Sequence, residues 1–238
     1  MSMVARRKYN EAAVVEGDGG FAITLDGKGV RTPAGTPMVL PGRALAQAIA
    51  CEWAAQDTEI RPHTMPFTQY AATALDRVAR FRAAIQDEMM RHAATELLCY
   101  RAEDRVLAER QEALWQPILD WADLRWNAPL AVTAGVMPVI QSPLSLGHLR
   151  EPLEAMDDFA LSAAQGLTAA LGSLILALAV CERRLSAIDA FDAAQLDETF
   201  QNERWGEDYE AIDRRDALRR DVLVAADFLR LLREQPAA

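Results

Sequence analysis

Residues 19–53 read GGFAITLDGKGVRTPAGTPMVLPGRALAQAIACEW, and the hydrophobic period changes within them. Phe21, Ile23 and Leu25 alternate with small or polar residues, the period of a half-buried strand. Asp26-Gly27 and Lys28-Gly29 then supply residues that tolerate positive φ. Thr32-Pro33 and Ala34-Gly35 punctuate again, and Met38-Val39-Leu40 forms a further short apolar run closed by Pro41. From Gly42 the spacing becomes helical: Leu45, Ile49 and Trp53 stand at i, i+4 and i+8, with Arg43 and Gln47 elsewhere on the cylinder. A small antiparallel meander followed by a helix that lays one face on it is the expected opening of the fold.

Working outward, Val14-Val15 and the turn Gly17-Asp18-Gly19-Gly20 extend the meander upstream. Downstream, EIRPHTMPFTQ (59–69) carries two prolines that push their predecessors away from the α region, which predicts an extended linker. Beyond Thr68 the pattern is helical: a run to about Tyr100, one from Leu107 to Trp126 that Pro117 either kinks or restarts, an Ala-rich segment, and a last helix from about Asp216. The last helix carries Leu218, Val222, Ala225, Leu229 and Leu232 on one stripe. Pro138 to Pro152 reads as a second loop. The fold class is therefore α+β, with a β-rich N-terminal domain over 1–66 and a larger all-helical domain over 67–238.

At 238 residues the chain can bury a substantial core without staples or metals. Its formal charge of -10 opposes binding to nucleic acid and anionic lipid, which depends on Lys and Arg contacts. Cys51, Cys99 and Cys181 lie far apart among apolar neighbours and read as reduced core thiols. The first residues, MSMVARRKYN, are basic but lead into no apolar region, so no secretory signal is read there. Phe159 to Cys181 carries no charge, yet Ser162, Gln165, Gly166, Thr168, Gly172 and Ser173 dilute it; it reads as a buried central helix and not as a membrane insertion.

Catalytic motifs are mostly absent. The glycine-rich turns GDGG and DGKG are followed by strand-like residues, so they build no phosphate cradle. Neither GxSxG nor HExxH occurs, and only three histidines are present, of which His63 falls in the linker and His148 in the second loop. His92 has Glu88 and Glu96 at four-residue spacing, a face that is either solvated and ion-paired or able to hold a metal in a helical metal-binding enzyme.

The most unusual composition is DETFQNERWGEDYEAIDRRD (197–216), with eight acidic and three basic side chains. As one helix it would place Glu203, Glu207 and Glu210 on one stripe and Trp205, Tyr209 and Ile212 on another. Aromatic anchors rimmed by charge suit a protein-binding surface. The same spacing also fits core aromatics beside solvated acids, and spacing alone favours that.

These residues resemble a known family, the assembly chaperones of the ATP synthase catalytic head that act on its alpha subunit. The resemblance is carried by GGFAITLDGKGVRTPAGTPMVLP, by AIACEWAAQDTEIRPHTMPFTQYAATALDRV, by ELLCYRA with RQEALWQPILDW, and by FQNERWGEDYEA, in that order. It marks Glu52, Trp53, Pro66 and Asp76 as structural motif positions, with Trp53 an anchor between helix and sheet. It implies a chaperone that uses no ATP, metal or cofactor and performs no catalysis. It implies binding of the unassembled alpha subunit until the beta subunit replaces it, with weight on the acidic block; Glu203, Glu207, Glu210, Trp205 and Tyr209 are the partner-binding candidates. A bacterial, cytoplasmic member acting as a monomer is expected, eukaryotic relatives being in the mitochondrial matrix.

Overall fold

Strand β1 (Ala12–Gly17) turns at Asp18-Gly19 and pairs antiparallel with β2 (Gly20–Leu25), Val14 opposite Ile23. The other edge of β2 is shared end to end by β3 (Lys28–Gly29) and β4 (Val39–Leu40), so the expected meander is present. Gly20 cannot be replaced cheaply: its φ is +132°, and a β-carbon there would stand 2.3 Å from the carbonyl oxygen of Leu40. Helix α1 (Arg43–Ala54) lies on the strands, with Ile23, Leu40, Leu45 and Ile49 fully buried.

This computed structural model describes residues 6–135, 137–206 and 209–234. By compactness the chain forms two units. The first comprises the described residues of Met1–Arg82, Asp157–Ala163 and Asp227–Ala238; the second is Ala83–Met156 and the described residues of Ala164–Ala226. The change of composition at residue 66 thus does not coincide with the division by compactness, because the first unit also draws on later helices.

Within the first unit, α1 is tied to α2 (Pro66–Thr73) by Glu52, whose carboxylate accepts the amides of Phe67 and Thr68 at 2.7 and 2.8 Å and the Thr68 hydroxyl at 2.7 Å. Pro66 occupies the first turn of α2, where its missing N–H costs nothing. The prolyl segment before it is more ordered than its prolines suggest. Residues Pro62–Thr64 make a 3₁₀ turn, and the nearly buried Gln56 accepts the Arg61 amide at 2.7 Å and donates to Thr64 Oγ1 at 3.1 Å.

A π-helical turn at Ala74–Val78 follows, and its Asp76 reaches back to the loop before β4. It accepts the hydroxyls of Thr32 at 2.7 Å and Thr36 at 3.0 Å and the Ala34 amide at 3.0 Å. Burial pushes this carboxyl up, but those hydrogen bonds and the Arg80 charge outweigh it and hold it below the usual range. Trp53 packs edge-on against Tyr9 at 6.1 Å, and the Tyr9 hydroxyl donates to the Trp53 carbonyl at 2.7 Å. Phe228, fully buried, sits 5.4 Å from Tyr70 and 6.4 Å from Phe67, ring centre to ring centre.

The second unit is helical except for β5 (Tyr100–Arg101) and β6 (Thr133–Ala134), which pair parallel. Its helices are the greater part of α3 (Ala79–Ala94), then α4 (Arg105–Trp126), α5 (Pro143–Ala155), the later part of α6 (Asp158–Leu171), α7 (Leu174–Cys181), α8 (Ala187–Ala194), α9 (Leu196–Trp205) and α10 (Tyr209–Arg233) up to Ala226. Every residue of α7 is buried, and Trp115 on α4 donates its ring N–H to the Ala193 carbonyl at 2.9 Å.

Several sequence expectations are corrected. The apolar run 159–181 is two helices, because Gly172 takes a φ of +65° and Ser173 caps α7 through the Leu176 amide at 2.9 Å. Among the described residues no helix is long and apolar enough to cross a membrane. Pro143 starts α5 and does not continue a loop, so His148 is helical, its Nδ1 2.7 Å from the Asn127 carbonyl. Helix α4 runs through Pro117; burial of Trp115, Ile118 and Leu119 around it outweighs the one lost backbone bond. Cys99 and Cys181 are buried, but Cys51 is exposed on α1.

Candidate partner-binding surface

The acidic segment does not form a single helix. Gly206, at φ +87°, ends α9, and α10 begins at Tyr209, so the two stripes expected along one continuous cylinder are interrupted. The two helices run on as neighbours, with Arg214 reaching Glu198 at 3.4 Å and Arg215 donating to Thr199 Oγ1 at 3.2 Å.

At this turn the aromatic candidates are open to solvent. Trp205 is 77% exposed at the end of α9, and Tyr209 is 87% exposed at the start of α10. That position removes the reading in which both rings are core. Ile212 is half-buried, and the ring buried from this segment is Phe200. Glu210 is exposed in the first turn of α10, where a negative charge suits the helix dipole. Glu207 lies outside the described residues.

Glu203 is exposed but already engaged, accepting from Arg110 of α4 at 2.8 Å. Asp104, the N-cap of α4, accepts Arg204 at 2.8 Å. Both arginines lie over the Phe200 ring, Arg110 at 5.2 Å and Arg204 at 4.2 Å from its centre. Phe200 thus packs against two cations, each held by its own carboxylate. Asp104 sits below the usual carboxylate range, chiefly through the Leu107 amide, with Arg204 adding to it. Asp197 is pushed upward by half-burial, against the Gln111 amide that donates to it at 2.7 Å. The arrangement is a surface turn with protruding rings and a cross-braced base, suited to binding another polypeptide.

Sequence reasoning did not find Asp104, Arg110, Arg204 or Phe200 as parts of this base. Phe200 and Arg204 sit within the segment singled out, but their partners are roughly a hundred residues earlier in the chain. No local spacing signals such pairs.

The face read from Glu88, His92 and Glu96 is not formed. Helix α3 ends at Ala94, and Glu96 turns inward to complete burial, accepting the amides of Leu174 at 3.0 Å and Ile175 at 3.2 Å. Burial drives its carboxyl up to about 7 despite those bonds. With Ser173, it takes up the free amides at the start of the buried helix α7. Among the described residues no three His, Cys, Asp or Glu side chains converge as metal ligands would.

Comparison with known proteins agrees with this layout. The family model described as "ATP12 chaperone protein" matches residues 6–123. The mitochondrial protein atp12 of Schizosaccharomyces pombe is 25% identical over 227 residues, 89% of this chain and 78% of that protein. The crystal structure of Atp12 from Paracoccus denitrificans superposes with a TM-score of 0.92 at 39% identity, over 96% of this chain and 99% of that one. A candidate chaperone of Agrobacterium tumefaciens superposes with a TM-score of 0.90 at 38% identity, over 97% of this chain and 87% of that one. With identity at that level across nearly the whole length, and the fold shared throughout, this chain belongs to the ATP12 chaperone family.

Proposed function

We propose that this chain is an ATP-independent assembly chaperone of ATP synthase, and that its client is the unassembled alpha subunit of the catalytic head, held until the beta subunit takes its place. It works without catalysis and without a cofactor, in the bacterial cytoplasm. Membership in a family named for chaperones supports the class of activity. The observation that carries the binding role is the turn between α9 and α10, where Trp205 and Tyr209 project from a base fixed by Arg110, Arg204 and Phe200. An unassembled subunit exposes apolar surface that associates wrongly unless covered. Release toward the proper partner requires a contact weaker than the final interface, and a small aromatic and acidic turn meets that requirement.

Glu203, Glu207, Glu210, Trp205 and Tyr209 are the proposed contact residues. The test is co-expression with the alpha subunit of the same organism, followed by size-exclusion chromatography of the soluble fraction, with the beta subunit as comparison. Co-elution with alpha, and alpha kept soluble, is the expected result. A folded chaperone that neither binds alpha nor raises its solubility overturns the assignment of client.

A further inference from the structure

Within the second unit, Asp104 joins two exposed segments that are far apart in sequence. One carboxylate oxygen caps α4 by accepting the amides of Val106 at 2.9 Å and Leu107 at 3.1 Å; the other accepts Arg204, the neighbour of Trp205. The preceding residue, Glu103, lies against a third segment. A β-carbon placed on Gly135 would stand 2.8 Å from Glu103 Oε1, and the Gly135 amide donates to the Arg101 carbonyl at 2.9 Å. The β5–β6 pairing holds Thr133 and Ala134 along the same edge.

The three segments that these contacts join each carry large apolar residues open to solvent: Val106 is 49% exposed, Val132 41%, Met137 71% and Trp205 77%. The segment that supplies Val132 and Met137 is rigid at its base. Gln141 bonds both the amide and the carbonyl of Ala131, at 2.8 and 3.0 Å, and Ser145 donates to the Pro129 carbonyl at 2.8 Å. No Asp, Glu, Lys or Arg occurs from Asn127 to Leu149, in a chain that is one-quarter charged. Isolated exposed apolar residues need no explanation, but their exposure on each of three joined segments does.

The charge around the edge has one sign to spare. Arg105, Arg110 and Arg204 are each paired, with Glu109, Glu203 and Asp104. Glu103 and Glu210 are left over among the described ionic contacts, so the edge carries a net negative rim. A second copy of this chain would bring the same sign against it. A partner with apolar side chains flanked by Lys or Arg is complementary in both respects.

We propose that this edge, centred on Val106, Val132, Met137 and Trp205, is the apolar half of the docking surface and receives a segment of the unassembled client in which apolar residues are flanked by basic ones. The proposal rests on the chaperone reading above and extends it from the α9–α10 turn to the β6 segment. Trp205 is the residue common to both halves.

The experiment compares the wild-type chain with the double variant Val132→Asp, Met137→Asp. Leu124→Asp serves as control, an 89% exposed position about 30 Å further along α4 at 1.5 Å per residue. Two readouts are taken: co-elution with the alpha subunit, and fluorescence anisotropy of a short labelled leucine-alanine peptide flanked by lysines, with its glutamate-flanked counterpart alongside. All three proteins are first shown to share one circular dichroism spectrum and melting temperature. The expected result is that the wild type and Leu124→Asp bind the lysine peptide while the double variant binds it about tenfold or more weakly, with the glutamate peptide bound weakly by all.

Retention of alpha by the wild type and equally by the double variant overturns this proposal and leaves the client assignment standing. Binding of the lysine peptide that the double variant loses, with no retention of alpha, supports the edge and its chemistry while overturning the client. Equal binding of both peptides, failure of the wild type to bind either, or self-association that the double variant abolishes, overturns the proposal.

Discussion

Glu52 accepts both the amide and the hydroxyl hydrogen of Thr68, at 2.8 and 2.7 Å, and so fixes where α2 begins relative to α1. Replacing it with Ala leaves the amides of Phe67 and Thr68 without their acceptor at a half-buried site. The expected loss is about 1–3 kcal/mol of stability, read as a lower urea midpoint by far-ultraviolet circular dichroism. An unchanged midpoint would show that water replaces the carboxylate at no cost.

Glu96 gives the protein a pH dependence that Glu96→Gln removes. Its carboxyl rises from an ordinary value of 4.5 to about 7 in the folded state, so folding favours the protonated form. Below 4.5 both states are protonated and the preference has its full effect. As pH rises toward 7 the unfolded chain loses its proton first, and stability falls. The wild type is therefore expected to lose stability relative to Glu96→Gln between about pH 4.5 and 7 and to run parallel to it above. Parallel denaturation curves from pH 5 to 8 would refute this.

Cys51 is exposed while Cys99 and Cys181 are buried, and burial first, then the Glu96 charge, pushes the Cys99 thiol up to about 12. One thiol per native chain should react quickly with a maleimide, and Cys51→Ser should abolish that fast phase. Fast labelling of two thiols would contradict the packing around α7.

Glu203→Lys should impair client retention without harming the fold. Its ion pair with Arg110 is exposed, and such pairs contribute about 0–1 kcal/mol. The melting temperature is expected to fall by only a few degrees. Retention of the alpha subunit should drop for Glu203→Lys and further when Glu210→Lys is added; full retention by the double variant would remove these residues from the proposed contact.

Phe228→Ala should cost about 3–5 kcal/mol, the usual loss for a buried phenylalanine. Limited proteolysis should then cut between Pro62 and Phe81, in the segment that this ring helps to pack. Proteolysis unchanged from wild type would show that the Tyr70 and Phe67 rings hold without it.

Where one local pattern decided the structure, the sequence was readable. Phe21, Ile23 and Leu25 alternate and form β2; Leu45 and Ile49 share a face and are buried. The breaks were not readable, since Gly172 and Gly206 are single glycines inside helical patterns and only their φ values of +65° and +87° reveal that the chain turns there. Pro143 reads as loop from sequence because proline both ends and begins helices. Glu96 matched His92 and Glu88 only on the premise that α3 continues; ending at Ala94 swings the carboxylate into the core. For the candidate surface, composition located the segment, but nothing in Trp205 or Tyr209 distinguishes an exposed ring from a buried one. Partners such as Asp104 for Arg204 lie too far away in sequence to be found by spacing.

The seat of Phe228 against Tyr70 and Phe67 also bears on how this chain is made. A ribosome delivers the meander, α1 and α2 early, yet the ring that completes their packing is translated more than 150 residues after Tyr70. Until α10 emerges, Phe67 and Tyr70 lack this partner, so a part made earlier is finished later. A protein proposed to shelter incomplete subunits thus passes through an incomplete stage of its own, which ends only when α10 leaves the exit tunnel.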